Sequence, residues 1–138
     1  MSSNAPYAQY RNTAIETASQ TRLVVMLYEG AIKFLSQAVA EMKVKNYEGQ
    51  SRGINKAQAI LAHLRDTLDF ERGGSVACSL DQFYTLSLDT LTSANFYDRI
   101  DKVERVIEGL REIREAWVEV DRLHGQNASP SGYARLAA

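Results

Sequence analysis

Four antiparallel helices in an up-down-up-down bundle are the fold this 138-residue sequence predicts, and three observations lead there. Proline occurs only at Pro6 and Pro130, so the whole middle of the chain is free of the residue that breaks helices. Apolar residues recur through that middle at alternating spacings of three and four, the period of an amphipathic helix. Short polar or glycine-bearing interruptions cut it into four segments. A composition of 45% apolar and 24% charged residues fits one globular domain with a core of its own.

The first segment, Ser19 to Met42, carries more apolar surface than one packing face requires. At about 100° per residue its apolar side chains cover an arc of roughly 200°, against the ~100° stripe of an ordinary surface helix. Ser19 is its expected N-cap. If the arc centre around Val24, Ala31, Leu35 and Met42 faces the core, Val25, Ile32 and Val39 form one flanking ridge. Leu23, Leu27 and Phe34 form the other. Each ridge is either absorbed by a neighbouring helix or left for a partner.

A second helix is expected from about Tyr47 to Phe70, with Ile54, Ala57, Leu61, Leu64 and Leu68 on one face. Arg72, Gly73, Gly74 and Ser75 then break it, because glycine takes positive φ without cost. A third helix starts between Ser75 and Ser79 and points Leu80, Phe83, Tyr84, Leu88, Leu91 and Ala94 inward. Leu86 falls off that face and is a candidate exposed contact. Asn95 is the expected αL residue closing this helix, and Asp98 the cap of a fourth carrying Ile100, Val103, Ile107, Leu110, Ile113 and Trp117. The resulting division is a leader over residues 1–18, a bundle over 19–122, and a polar tail over 123–138 without periodicity, read as disordered.

Charge and composition exclude several functions. A net charge of −1 offers no basic surface for nucleic acid or for an anionic membrane. The single cysteine, Cys78, forms no internal disulfide, and the leader lacks a signal-peptide pattern, so a cytoplasmic location is expected. The longest unbroken apolar run, Leu23 to Tyr28, is far short of the ~20 residues of a membrane span. With only His63 and His124, no Glu-x-x-His pair exists for a bundle metal site, and no cofactor is expected. His63 is followed by Leu64-Arg65-Asp66, which lacks the Leu-Lys-Gly that follows a phosphotransfer histidine. Cys78 has no nearby base and reads as a small packing residue. No enzyme emerges.

Ordered motifs supply a positive reading. Tyr7-Ala8-Gln9-Tyr10, Thr17-Ala18-Ser19 ahead of Leu23, and Met26-Leu27-Tyr28-Glu29-Gly30-Ala31 open the series. Lys56-Ala57, Leu68-Asp69 with Glu71, Gly73 and Gly74, then Leu80, Tyr84 and Ala94-Asn95 follow, and Leu110, Ile113, Arg114, Ala116 and Trp117 close it. Over about Tyr7 to Val120 this series resembles the FliS family of flagellar secretion chaperones. The chain departs from the family's pattern at Gln20, where proline is usual, at Asp89-Thr90, where many members carry two arginines, and in the tail after Asp121.

The resemblance implies a non-enzymatic export chaperone that binds the disordered C-terminal region of flagellin in the cytosol, lets it fold along apolar surface, and prevents premature polymerisation. It also implies a flagellar export gate component as a partner, and a leader whose tyrosines, Tyr7 and Tyr10, lie over part of the client surface when no client is present. The expected client-binding or groove-covering residues are Tyr7, Tyr10, Leu23, Val25, Leu27, Ile32, Phe34, Val39 and Leu86. The expected assembly is a monomer or weak homodimer.

Overall fold

A computed structural model describes residues 6–126, with side chains over residues 20–124. Its elements are α1 (Pro6–Lys43), α2 (Tyr47–Asp66), α3 (Phe70–Tyr97) and α4 (Ile100–Gln126). The connections, residues 44–46, 67–69 and 98–99, are too short for anything but antiparallel neighbours. Packing runs in a ring, α1 on α2, α2 on α3, α3 on α4 and α4 back on α1. The four-helix bundle expected from the sequence is the fold observed.

Several boundaries differ from expectation, each for a local reason. α1 does not start at Ser19 but runs back to Pro6. Gln20 keeps the backbone N–H that a proline would remove, so the helix passes through it, and Pro6 occupies the first helical position, where a missing N–H costs nothing. α2 ends at Asp66, not near Phe70. Asp69 then takes the N-cap of α3, its carboxylate accepting the Arg72 N–H at 3.2 Å. α3 therefore begins at Phe70, ahead of the glycine pair. The break expected there survives inside the helix as Gly74, with φ 50° and ψ −124°.

At the far end of α3 the αL residue is Asp98, with φ 55°, and not Asn95. Asn95 stays helical and spends its side chain on α2, accepting the Gln50 amide at 3.0 Å and the Ser51 hydroxyl at 3.2 Å. α4 continues to Gln126, past the point where the tail was expected to begin. No proline occurs between Pro6 and Pro130, and His124 is buried, with its nitrogens unpartnered among the described residues. That burial lowers its pKa against an opposing pull from the Asp121 carboxylate. The rest of the expected tail, residues 127–138, and residues 1–5 lie outside the described residues.

The wide arc of α1 is covered on both sides. Tyr28, Ala31, Leu35 and Ala38 are wholly buried, with α2 against one flank and α4 against the other. By length and composition Gln20–Lys43 would suffice to cross a bilayer, which the short unbroken run had not suggested. Here 33% of its apolar window is buried within the bundle, and Arg22, Glu29 and Lys33 interrupt its outward side. α2 approaches α1 closely because Gly53 lacks a side chain: a Cβ there would sit 2.8 Å from the Phe34 carbonyl oxygen. Exposed ion pairs, Arg22–Asp121 at 3.7 Å and Arg114–Glu29 at 2.5 Å, tie α1 to α4, with at most modest effect on stability.

α3 packs less closely against its neighbours than α1 does. It is joined to α1 across the bundle by one buried hydrogen bond, Tyr28 Oη to Tyr84 Oη at 2.5 Å. Burial raises the pKa of both phenols, so both stay protonated at any ordinary pH. Removing the Tyr28 hydroxyl strands that of Tyr84 in the core, whereas Tyr28 keeps the Trp117 indole as a partner when Tyr84 is changed. Tyr28→Phe is expected to cost ~1–3 kcal/mol in urea unfolding, Tyr84→Phe less, and Tyr28→Phe with Tyr84→Phe less than the sum of the single changes.

Candidate binding surface

Among the described residues no group of three His, Cys, Asp or Glu side chains converges to hold a metal ion. His63 stands exposed on α2, and Cys78 is exposed on α3 instead of packed as its small size suggested. The Cβ direction on α3 places Cys78 on the side away from Tyr84 and the core. The chemistry available on the surface is apolar contact and charge. Three regions offer it.

The seam between α1 and α2 is largely closed. Gly30 lets Ile60 approach, so that a Cβ at Gly30 would lie 3.4 Å from Ile60 Cδ1. Leu27 and Phe34 are half-buried against the core, and the Lys56 ammonium lies 5.3 Å from the centre of the Phe34 ring. Only Leu23, 46% exposed, remains open on this ridge. It lies where α2 stops: with Ile60 opposite Gly30, Asp66 is level with Val24, and α1 continues beyond it.

The opposite ridge faces α4. Val25 and Ile32 are half-buried, and Val39 is 7% exposed and packed in the core cluster. The reason is Ile107, which α4 packs beside it. Two shallow hollows of about 310 and 440 Å³ follow this seam. Ile32 lines the first and Val39 with Ile107 the floor of the second, while Arg111 borders both. Charged side chains rim the seam throughout, with Glu29 and Arg114 already paired.

The seam between α3 and α4 is the least tightly closed of the four. Leu86 is 67% exposed, as its position off the inner stripe implied. Phe83, one turn before it, lies across Gly109 of α4, where a Cβ would meet its ring at 2.8 Å. Lys102, whose ammonium reaches the Ser93 hydroxyl at 3.3 Å, and Gly109 mark the edge of α4 that faces α3. Helical spacing puts Ile113, Ala116 and Val120 on the same edge, all half-buried or exposed. With Val76 these residues make an apolar ribbon along the outside of the bundle. Asp89 is exposed one turn beyond Leu86 and leaves a carboxylate on the rim.

Of the expected contact residues, the structure thus leaves Leu23 and Leu86 exposed on two different seams, and Val25, Leu27, Ile32 and Phe34 half-buried, with Ile32 lining a hollow on a third. Tyr7 and Tyr10 have their backbone in α1, but their side chains lie outside the described residues. Phe83, expected on the inner face of its helix, and Gly109, Ala116 and Val120 were not among the expected contact residues. The available signal was small residues at i and i+7, Gly109 and Ala116, on one face of a helix that otherwise has no use for glycine.

Comparison with known proteins adds what geometry cannot. A family model described as "Flagellar protein FliS" matches residues 3–124. A flagellar secretion chaperone FliS of Campylobacter jejuni is 32% identical over 120 residues, covering 87% of this chain and 94% of the relative. The Vibrio cholerae protein of the same name is 35% identical over 109 residues, 79% of this chain and 80% of the relative. That of Escherichia coli is 33% identical over 115 residues, 82% and 85% of the two chains. With near-complete coverage and the expected four-helix bundle, this chain belongs to the FliS family of flagellar secretion chaperones.

Proposed function

We propose that this protein is a cytoplasmic chaperone that binds the C-terminal region of flagellin, keeps it from polymerising early, and aids its delivery to the flagellar export gate. The observation that carries the reading is the apolar ribbon around Leu86, exposed on a helix of a protein in this family. A disordered client must recover the cost of its own ordering by burying side chains. Each fully buried Leu or Ile contributes roughly 1.5–3 kcal/mol, so a run of such contacts is the minimum requirement. The ribbon supplies them as a groove for an amphipathic helix, with Phe83 and Leu86 on one wall and Ile113, Ala116 and Val120 on the other.

Ile32, between α1 and α4, extends the contact to a second seam for a client that wraps the bundle. Leu23 offers a third point where α2 has ended. No turnover is involved, and no cofactor is required.

A synthetic peptide of the flagellin C-terminal region is expected to bind near 1:1 by calorimetry and to gain helicity by circular dichroism. Leu86→Glu, which changes an exposed residue, is expected to weaken that binding by ~10-fold or more while the unfolding midpoint stays near that of the parent. Ile32→Glu should act in the same direction. Absence of saturable binding at micromolar peptide would sink the assignment. If Tyr7 and Tyr10 cover part of this surface, Tyr7→Ala with Tyr10→Ala will tighten client binding and make the leader more sensitive to protease. No change in either measurement removes that role.

A further inference from the structure

We propose a second docking site at the end of the bundle where α1 meets α2 and α3 meets α4, fitted to an acidic segment with apolar side chains from another protein. Up-down-up-down topology brings both connections to this end, opposite the start of α1 and the end of α4. Four large apolar residues stand exposed on them: Val44 at 71%, Tyr47 at 54%, Phe96 at 78% and Tyr97 at 67%. An apolar cluster of this kind on a monomer is the mark of an interaction surface, and tyrosine and phenylalanine are the residue types that anchor one.

The platform is rigid. Phe96 and Tyr97 pack edge to face with ring centres 4.9 Å apart. The Gln50 amide donates to the Asn95 carbonyl, the Asn95 side chain and the Asp98 carboxylate at 3.2, 3.0 and 2.9 Å, and Ser51 adds a bond to Asn95. Tyr47 lies on the same stripe of α2, one turn before Gln50 and Ser51, and so leans to the α3 side. Asn46 caps α2 through the Gly49 N–H. Side chains held this way lose little freedom on binding, which favours affinity.

Charge selects the partner. Arg52 is paired with Glu48 and Arg99 with Asp101, Asp98 is held by Gln50, and Glu41 lies along the first turn of α2. Lys43 and Lys45 flank Val44 in the connection that leads to Tyr47, both exposed and without a carboxylate partner among the described residues. Carboxylates alternating with apolar anchors complement that pattern, and a basic segment is repelled by it. The site shares no residue with the ribbon proposed for the client, so both can be filled at once.

The test uses the full chain, isotope-labelled for NMR, and two synthetic peptides, one alternating Leu and Phe with Glu, the other with Lys in place of every Glu. The acidic peptide is expected to shift the amides around Tyr47, Phe96 and Tyr97 saturably, and the basic one to bind at least ~10-fold more weakly. Lys43→Glu with Lys45→Glu, exposed changes that leave the core intact, should reduce acidic-peptide affinity by ~10-fold and leave flagellin-peptide affinity unchanged. Equal binding of both peptides, shifts confined to other residues, or displacement by the flagellin peptide would overturn the second site. So would concentration-dependent shifts at the platform without peptide, which assign it to a second copy of this chain. Flagellin-peptide binding is measured separately, so loss of either site leaves the other reading standing.

Discussion

The approach of α2 to α1, permitted by the bare Cα of Gly53, sets the plan of the bundle. It brings α2 against one flank of the wide apolar arc and leaves the other to α4, so that α1 becomes the central member of a layer of three. α3 is then the outer helix. It touches α1 through a phenol pair across the core and rests on α2 and α4 with larger side chains between. Gln58 bridges to the Leu88 carbonyl and the Thr92 hydroxyl on one side, and Phe83 spans to Gly109 on the other.

From that asymmetry the division of the surface follows. Where glycine and alanine allow helices to meet closely, as Gly53 and Ala38 do, the seam is largely closed and Phe34 is half-buried against the core. Where aromatic side chains hold helices apart, apolar edges stay open on the outside, as at Leu86. A secretion chaperone needs both conditions together: a frame stable without its client, and apolar surface that the frame does not consume. The bundle separates them by assigning one to α1 and the other to α3.

Much of this was legible in the residues. The helix count followed from the 3.6-residue period and the absence of internal proline, and the exposure of Leu86 from its angle alone. Boundaries were less legible because they turn on competing caps. Asn95 and Asp98 are both plausible αL residues, and Asn95 lost because its side chain had a better use against Gln50 and Ser51, a contact 44 or 45 residues away in sequence. The fate of the two ridges on α1 was undecidable for the same reason. Val25, Ile32 and Val39 share one angle on the helix, yet Val39 alone is buried, lining a hollow with Ile107, and nothing local to α1 records where α4 will place that residue.

Gly74 carries one further consequence. Its left-handed backbone separates the first turn of α3, capped by Asp69, from the long helix that follows, at the end of the molecule where α2 has already stopped. Four residues of helix joined through a glycine and lacking a neighbour on the α2 side form a unit of low local stability. Amide hydrogens of residues 70–73 should therefore exchange with solvent through brief local opening, while those of α1 around Leu35 wait for the whole bundle to unfold.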